Sequence, residues 1–296
     1  MNFTHLAAFL AVADTGSVTA ASERLHVSQP ALTREIRELE ERMGVPLFDR
    51  MPRGMQATEA GRLLADYAKQ IFALADAAEN AVGEFAGLAR GQLGVAASRT
   101  IGEHLLPGVL SEFRRRYPGV VVDVAVSNTE RVEHTVLAQE RQIGLIEGPF
   151  DHETFDAVVV GHDELIAVAA PSHALARKRR LSAEEIGKAE LVMREAGSGT
   201  RKVVEEAYAS HKIALEPKLS LGSSEGIKRV LYLGESVSWV SRHAVADDLA
   251  ARKLVELQVA DLKIERDLNM IWRKARGLSP SARAFKALVE DRFRAT

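Results

Sequence analysis

Between Ser28 and Arg37 the chain places Gln29, Pro30, Thr33, Arg34 and Arg37 on one arc of a helix, at about 100° per residue. A glutamine can read an adenine edge, an arginine a guanine edge, and either can hold a phosphate. Ser28, Gln29, Pro30, Thr33, Arg34 and Arg37 are therefore candidate contacts to duplex DNA. Arg50 and Arg53, in a Pro/Gly-containing segment further on, are candidates for a phosphate backbone or a minor groove. A second group of polar residues follows three apolar runs, in Ser98-Arg99-Thr100, Ser127-Asn128-Thr129 and Ser198-Gly199-Thr200-Arg201. Hydroxyls at the opening of a helix, its free N–H groups and a guanidinium suit a small anion. Any one of these turns is explained as well by N-capping alone; the three together point to a site. Its candidates are Ser98, Thr100, Asn128, Thr129, Ser198, Gly199, Thr200 and Arg201. Glu147 stands close by in the sequence pattern, and an ionised carboxylate repels an anion. It must turn away, be protonated, or accept a hydrogen bond from a protonated ligand.

Catalytic readings fare worse. Gly222-Ser223-Ser224-Glu225-Gly226 fits G-x-S-x-G. The only later histidine is His243, and only Glu225 and Glu235 separate it from Ser224, which is too cramped for a triad. Ser223 and Ser224 read as helix caps instead. The nine histidines lack i, i+4 pairs, there are no cysteines, and neither a Walker A sequence nor G-x-G-x-x-G occurs. No catalytic residue, metal or cofactor is expected. The basic run Arg177-Lys178-Arg179-Arg180 reads as a solvated loop before a helix capped near Ser182.

The elements that must position the first group are short. Ser17 caps one helix, with Ala20, Ala21 and Leu25 on one side, and His26-Val27 breaks it. Ser28 caps the next, Pro30 sits harmlessly in its first turn, and Leu32, Ile36, Leu39 and Met43 form a buried stripe. Two helices with a tight turn match a helix-turn-helix. Taken alone, these residues fit a helical hairpin with a solvated polar face equally well. Thr4 to Asp14 forms a preceding helix whose Leu6, Phe9, Leu10 and Ala13 pack on the pair. Val45 to Ala57 reads as a hairpin-like wing or a plain loop. Thr58 caps a long helix to about Leu88, with Leu64, Tyr67, Ile71, Leu74, Ala78, Ala81, Phe85 and Leu88 at three- and four-residue steps. A second copy of the chain is the natural cover for that seam. Gly83, Gly87 and Gly91 mark a hinge.

From Gln92 the pattern becomes α/β. Strands are expected at Leu93–Ala97, Val120–Val126, Ile143–Ile146, Val158–Val160, Leu165–Ala169, Ser236–Val240 and Leu268–Arg273. Helices are expected at Glu103–Arg116, Glu130–Gln139, Arg201–Ser210, Glu225–Leu233 and Pro280–Phe293. This alternation predicts a parallel sheet with helices on both faces. The fold class is thus α/β with an all-α N-terminal part. Boundaries fall at 1–57 for the DNA-binding head, 58–90 for a dimerisation helix and 91–296 for a two-lobed domain. Lobe I takes about 91–162 and 268–296, and lobe II about 163–267.

Composition sets limits on this reading. Of 296 residues, 46% are hydrophobic and 27% charged, enough to bury proper cores. No apolar run is long enough to span a bilayer, so no membrane partner is expected. The N-terminus lacks a basic region and carries Asp14, so a cytoplasmic location is expected. Net charge is −2, and residues 1–57 hold six arginines against seven acids. The usual basic footprint of a DNA-binding domain is absent. Placement must compensate: Arg34, Arg37, Arg50 and Arg53 toward the duplex, Glu38, Glu40 and Glu41 away from it.

The N-terminal stretch resembles the DNA-binding domain of LysR-type transcriptional regulators. The matching elements are Phe9, Gly16-Ser17, Ala20-Ala21, Leu25, Val27-Ser28-Gln29-Pro30-Ala31, Ile36, Leu39-Glu40, Gly44, Leu47-Phe48, Arg50 and Thr58-Glu59-Ala60-Gly61. Thr33 stands where the family more often has serine. The resemblance implies a winged helix-turn-helix, a dimerising linker helix and a two-lobed effector domain like that of periplasmic solute-binding proteins. It also implies an operator on double-stranded DNA, a small-molecule effector, and assembly to a homodimer and on to a homotetramer. Ser198-Gly199-Thr200-Arg201, preceded by Gly197, resembles a subgroup that includes regulators of carbon fixation and sulfur assimilation. That similarity implies an anionic effector: a sulfur oxyanion, phosphate or a phosphorylated metabolite. The rival from another class is a solute-binding or carrier protein, against which residues 1–88 argue.

Overall fold

A computed structural model describes residues 1–51, 54–84, 88 and 91–294. The chain divides into two units, Met1–Glu79 and Asn80–Thr296.

Capping residues set the helix boundaries of the first unit. Helices α1 (Phe3–Thr15), α2 (Val18–Leu25) and α3 (Gln29–Met43) open on Asn2, Ser17 and Ser28, whose side chains each accept a backbone N–H of the first turn. They close on Gly16, His26 and Gly44 in the left-handed region. Leu32, Ile36 and Leu39 are buried against Phe9, Val12 and Ala21, as their spacing predicts. Met43 does not continue that stripe. It is the last residue of α3, where the chain turns off at Gly44, and it is exposed.

Strands β1 (Phe48–Met51) and β2 (Gly54–Ala57) pair antiparallel as the expected wing. Glu40 anchors it, its Oε1 accepting the N–H groups of Leu47 at 2.7 Å and Phe48 at 3.2 Å. Glu40 was expected to face away from the site; it turns inward because those two donors would otherwise be buried without a partner. Met55 N–H donates to the Gly16 carbonyl at 2.8 Å. Gly54 has φ 123°, and a Cβ there would lie 2.4 Å from that same carbonyl, so this approach admits only glycine.

The long helix α4 (Glu59–Glu84) starts where Thr58 Oγ1 accepts the Gly61 N–H. Leu64 packs on the head and Phe72 meets Phe3 at 5.7 Å, while Leu63, Tyr67 and Leu74 stay exposed. Leu88, assigned to the end of the seam, packs against the core of the second unit instead, since α4 has ended. Phe85 and Gly87 lie outside the described residues, as does Arg53; of Arg50 only the backbone is described.

The second unit runs β3 (Gly91–Ser98), a π-helical turn Ile101–Leu105, α5 (Leu106–Arg116), β4 (Val120–Ser127), α6 (Thr129–Leu137), β5 (Ile143–Glu147) and β6 (Phe155–Ala169). It continues as α7 (Ala183–Gly187), β7 (Val192–Arg194), α8 (Gly199–Ser210), β8 (Leu219–Leu221), α9 (Ser224–Leu231), β9 (Val237–Ser241), α10 (Arg242–Ala250), β10 (Val255–Glu256), β11 (Ile264–Arg273) and α11 (Pro280–Arg294). The main sheet follows β10-β6-β11-β5-β3-β4, with β9 on β6. Only β4-β3-β5 is parallel; β11 pairs antiparallel with both β5 and β6, so the all-parallel expectation needs correction. The cause is connectivity: β11 returns from lobe II against the direction of the strands it joins.

Two expected strands, Val158–Val160 and Leu165–Ala169, are one fifteen-residue strand, β6. It pairs with β11 along most of its length, and a bulge lies at Leu268/Asn269. These two strands are the crossovers, and each belongs to both lobes. Lobe I packs α5 and α11 on one face and α6 on the other. Lobe II packs α7 and α8 on one face, α9 and α10 on the other. Among the described residues no helix is long and apolar enough to cross a membrane.

Candidate functional site

On the head, Ser28, Gln29, Pro30, Thr33, Arg34 and Arg37 are all exposed on the side of α3 away from Leu32, Ile36 and Leu39. Gln29, Thr33 and Arg37 line a groove of about 800 Å³ with Thr19 and Met55. The acids are not turned away as expected. Glu38 Oε1 lies 3.6 Å from Arg34 Nε, and Glu41 Oε1 3.0 Å from Arg37 Nε. These are i, i+4 pairs on one helix face, a spacing already present in the sequence. Exposed pairs of this kind hold an arginine weakly, so a phosphate or a guanine can draw it off. His5 Nε2 reaches Glu35 and Glu38 at 3.2 and 3.4 Å and ties α1 to α3. Histidine spacing within single helices could not show a group built from two helices.

Between the lobes, the structure gathers part of the second candidate set around a residue that sequence reasoning missed. Arg266, on β11, is 5% exposed. Its Nε and Nη2 donate to Asp163 Oδ2 at 2.8 and 2.6 Å, and Nη1 donates to Thr200 Oγ1 at 2.9 Å. Thr100 Oγ1 accepts from Nη2 at 3.5 Å, and Glu147 Oε1 stands 3.4 Å from Nη1. One guanidinium thus joins lobe I (Thr100, Glu147), lobe II (Thr200) and both crossovers. Asp163 also accepts the Ser241 hydroxyl at 2.8 Å. Ser98 Oγ and Glu147 Oε2 are buried without a hydrogen-bond partner among the described residues. Both residues end parallel strands of the same sheet, the place where open α/β sheets receive ligands.

The other candidates lie at the edge of this cluster, where α6 and α8 meet end to end. Gly199 N–H donates to Thr129 Oγ1 at 3.0 Å, Glu130 N–H to the Gly197 carbonyl at 3.1 Å, and Asn128 Nδ2 to the Ala196 carbonyl at 3.5 Å. Ser198 is buried, and its side chain makes no cap bond to α8. Outside this seam is a cavity of about 420 Å³ that Thr129, Glu133, Ser198 and Lys202 help to line, where burial raises the Glu133 carboxyl above its ordinary range. Arg201 lines this same cavity with Ser198 and Gly199, held by Glu205 at 2.7 Å and Ser220 at 2.9 Å, while Thr200 turns to Arg266, because successive helical residues point about 100° apart. His104, on the π-helical turn, is pulled below the usual imidazole range by burial, and its Nε2 is without a hydrogen-bond partner.

A signal for Arg266 was present. In Ile264-Glu265-Arg266-Asp267-Leu268 the alternating pattern puts arginine on the inward side with Ile264 and Leu268. Starting that strand at Leu268 hid it. Ser223, by contrast, is the cap it was read to be, accepting the Gly226 N–H at 3.2 Å.

A winged helix-turn-helix head followed by a two-lobed α/β domain with a buried polar cluster between its lobes defines a class, the ligand-responsive DNA-binding regulators. The family model for the bacterial regulatory helix-turn-helix protein, lysR family, matches residues 3–62, and that for the LysR substrate binding domain matches 86–294. The chain belongs to the LysR family of transcriptional regulators. Among curated relatives, the RuBisCO operon transcriptional regulator of Allochromatium vinosum is 30% identical over 98% of this chain and 95% of its own. The uncharacterized HTH-type transcriptional regulator YeiE of Escherichia coli K12 is 35% identical over 95% and 94%. Among solved structures, the regulatory domain of CcmR from Synechocystis PCC6803 in complex with 2-PG is 26% identical. It has a TM-score of 0.64 and covers 69% of this chain and 98% of its own. Full-length CbnR with its target DNA has a TM-score of 0.74 at 23% identity, covering 98% and 99%, a likeness of fold. The RuBisCO operon regulator, together with the HTH-type transcriptional regulator CysL of Bacillus subtilis (31% identical over 92% of this chain and 91% of its own), matches the carbon-fixation and sulfur-assimilation subgroup that the Gly-Ser-Gly-Thr-Arg run resembles.

Proposed function

We propose that this regulator reads its operator through Ser28, Gln29, Pro30, Thr33, Arg34 and Arg37 on α3, with Arg50 and Arg53 on the wing. A small anionic effector bound between its lobes sets the geometry of paired heads. The DNA reading rests on an exposed polar face of α3 opposite a fully buried one. Arg34→Ala is expected to weaken operator binding by about 1–3 kcal/mol if it contacts a base. A gel shift at fixed salt checks this, and wild-type affinity would exclude that role.

The effector reading is carried by Ser98 Oγ and Glu147 Oε2, buried and unpartnered near Arg266. Unsatisfied buried groups are costly, so a ligand offering an acceptor to Ser98 and a donor to Glu147 is favoured. The neighbourhood holds one guanidinium against the two carboxylates of Glu147 and Asp163. An anion therefore binds best when it carries its own proton or hydroxyl toward Glu147 and takes Arg266 from Asp163. Among sulfur oxyanions hydrogen sulfite meets that description and sulfate, fully ionised near neutral pH, does not; phosphate and phosphorylated metabolites meet it, and 2-PG in CcmR is a phosphorylated acid of this kind. Thr100 and Thr200 complete the inner contacts, with Asn128, Thr129, Ser198 and Gly199 at the seam. Calorimetry with sulfite, sulfate, phosphate and phosphoglycolate tests the class. Ser98→Ala is expected to weaken the best of these by about 1–2 kcal/mol, while Arg201→Ala changes it less than about twofold, or 0.4 kcal/mol. The reverse order would place the anion at Arg201 instead.

Self-association follows from the exposed Tyr67 and Leu74 on α4, which leave an apolar stripe without cover in one chain. A homodimer, and a homotetramer by pairing of dimers, is the proposed assembly. Sedimentation as a monomer at micromolar concentration would overturn it.

A further inference from the structure

The end of lobe I opposite the interlobe cluster holds a cavity of about 430 Å³, its walls including Trp272, Arg276, Leu278, Arg283, Lys286 and Glu290. Because β11 runs antiparallel to β5, its last residues lie where β5 begins, far from Glu147 at the other end. The charges on this wall do not balance. Lys286 Nζ is bonded to Glu290 at 2.8 Å and stands 5.8 Å from the Trp272 ring centre. Among the described residues Glu290 is the one acid lining the cavity, and it is already engaged. The guanidinium groups of Arg276 and Arg283 have neither a hydrogen bond nor an ion pair among the described residues. Burial, and then the charge of Arg273, pull Arg276 below the ordinary guanidinium range. The turn that presents it passes through Ala275 at φ 60°, a left-handed conformation that a residue with a Cβ adopts only at a cost. Strained backbone of this kind clusters at ligand clamps.

We propose that this cavity is a second ligand site, distinct from the interlobe one, for a small molecule bearing phosphate. Two free guanidinium groups can take phosphate oxygens bidentately, and Trp272 with Leu278 offers an apolar wall for a sugar or base. The volume falls within the roughly 300–1,000 Å³ of small-molecule pockets. A concave wall with an indole suits a small ligand better than the backbone of a duplex.

The test is a titration of the full-length chain with pyrophosphate and, separately, with ADP, read by tryptophan emission and by calorimetry. The chain has two tryptophans. Trp239 is buried in lobe II with its indole N–H on Tyr208, so a change in emission reports Trp272. Saturable quenching is expected, lost in Trp272→Phe while the heat remains. Arg276→Gln combined with Arg283→Gln is expected to weaken binding at least tenfold with melting temperature and operator affinity unchanged. Heat without a change in emission would put the ligand in the interlobe cluster and overturn the proposal. So would a non-operator duplex that shifts the emission when pyrophosphate and ADP do not, or affinity unchanged in the double variant.

Discussion

Arg266→Met is expected to destabilise the two-lobed domain by about 3–5 kcal/mol and to abolish its response to effector. The guanidinium is almost wholly buried and supplies two donors to Asp163 and one each to Thr200 and Thr100. Methionine fills similar space but leaves Glu147 with no opposing charge among the described residues and Asp163 with only His243, 4.0 Å away, and the Ser241 hydroxyl. The cost is that of two poorly compensated buried carboxylates, which outweighs the gain in apolar packing. Differential scanning calorimetry of the full chain should show the corresponding endotherm moved down by on the order of 10 °C. The head's transition should stay in place, because the partners of Arg266 (Asp163, Thr200, Thr100 and Glu147) all belong to the second unit. Arg266→Lys separates charge from geometry. It keeps one positive charge but loses the planar fork, so an intermediate melting temperature with no effector response is expected. A melting profile like that of the unaltered chain in Arg266→Met would mean that the pairing adds nothing to the fold.

The second large effect is expected from Gly199→Ala. A Cβ at this position would lie 2.4 Å from the Glu147 carbonyl oxygen and 2.7 Å from Thr129 Oγ1. Neither the carbonyl nor a hydroxyl fixed by the capped start of α6 can yield by that much. The ends of α6 and α8 must separate, breaking the Gly199 N–H bond to Thr129. Overpacking of this order costs about 1–3 kcal/mol, and it falls on the lobe-to-lobe contact alone. Effector affinity should drop some ten- to hundredfold, an estimate that follows from that cost. Circular dichroism should be unchanged, because alanine is at least as good as glycine at the first position of a helix. Operator binding without effector should persist. Wild-type effector affinity would show that the seam between α6 and α8 plays no part in closure.

Both variants bear on how effector binding is transmitted. Each crossover strand belongs to both lobes, and Arg266 and Asp163 sit on the two strands facing one another. A ligand that competes with Asp163 for Arg266 has a different affinity for the two lobe arrangements, which is the condition for shifting their populations.

Local rules made much of this protein legible. Ser17, Ser28 and Thr58 each satisfy N–H groups within the next three residues, so the helix starts needed no tertiary information. Leu32, Ile36 and Leu39 are buried because their spacing leaves them nowhere else to go on a helix with an otherwise polar face. The alternation from Gln92 onward likewise carried the α/β character, and Glu38 and Glu41 could have been matched to Arg34 and Arg37 from spacing alone. What needed the folded chain was every partnership across long sequence separations. Arg266 meets Asp163, Glu147, Thr200 and Thr100 from positions 66 to 166 residues away, and strand alternation says only that it points inward. The direction of the β11 return, which makes the sheet mixed, is of the same kind, whereas the Arg201–Glu205 pair, four residues apart on α8, is of the local kind. A long, flexible charged side chain reaches several partners, and burial together with the fixed positions of neighbouring strands selects among them. Periodicity encodes a face; it does not encode what that face meets.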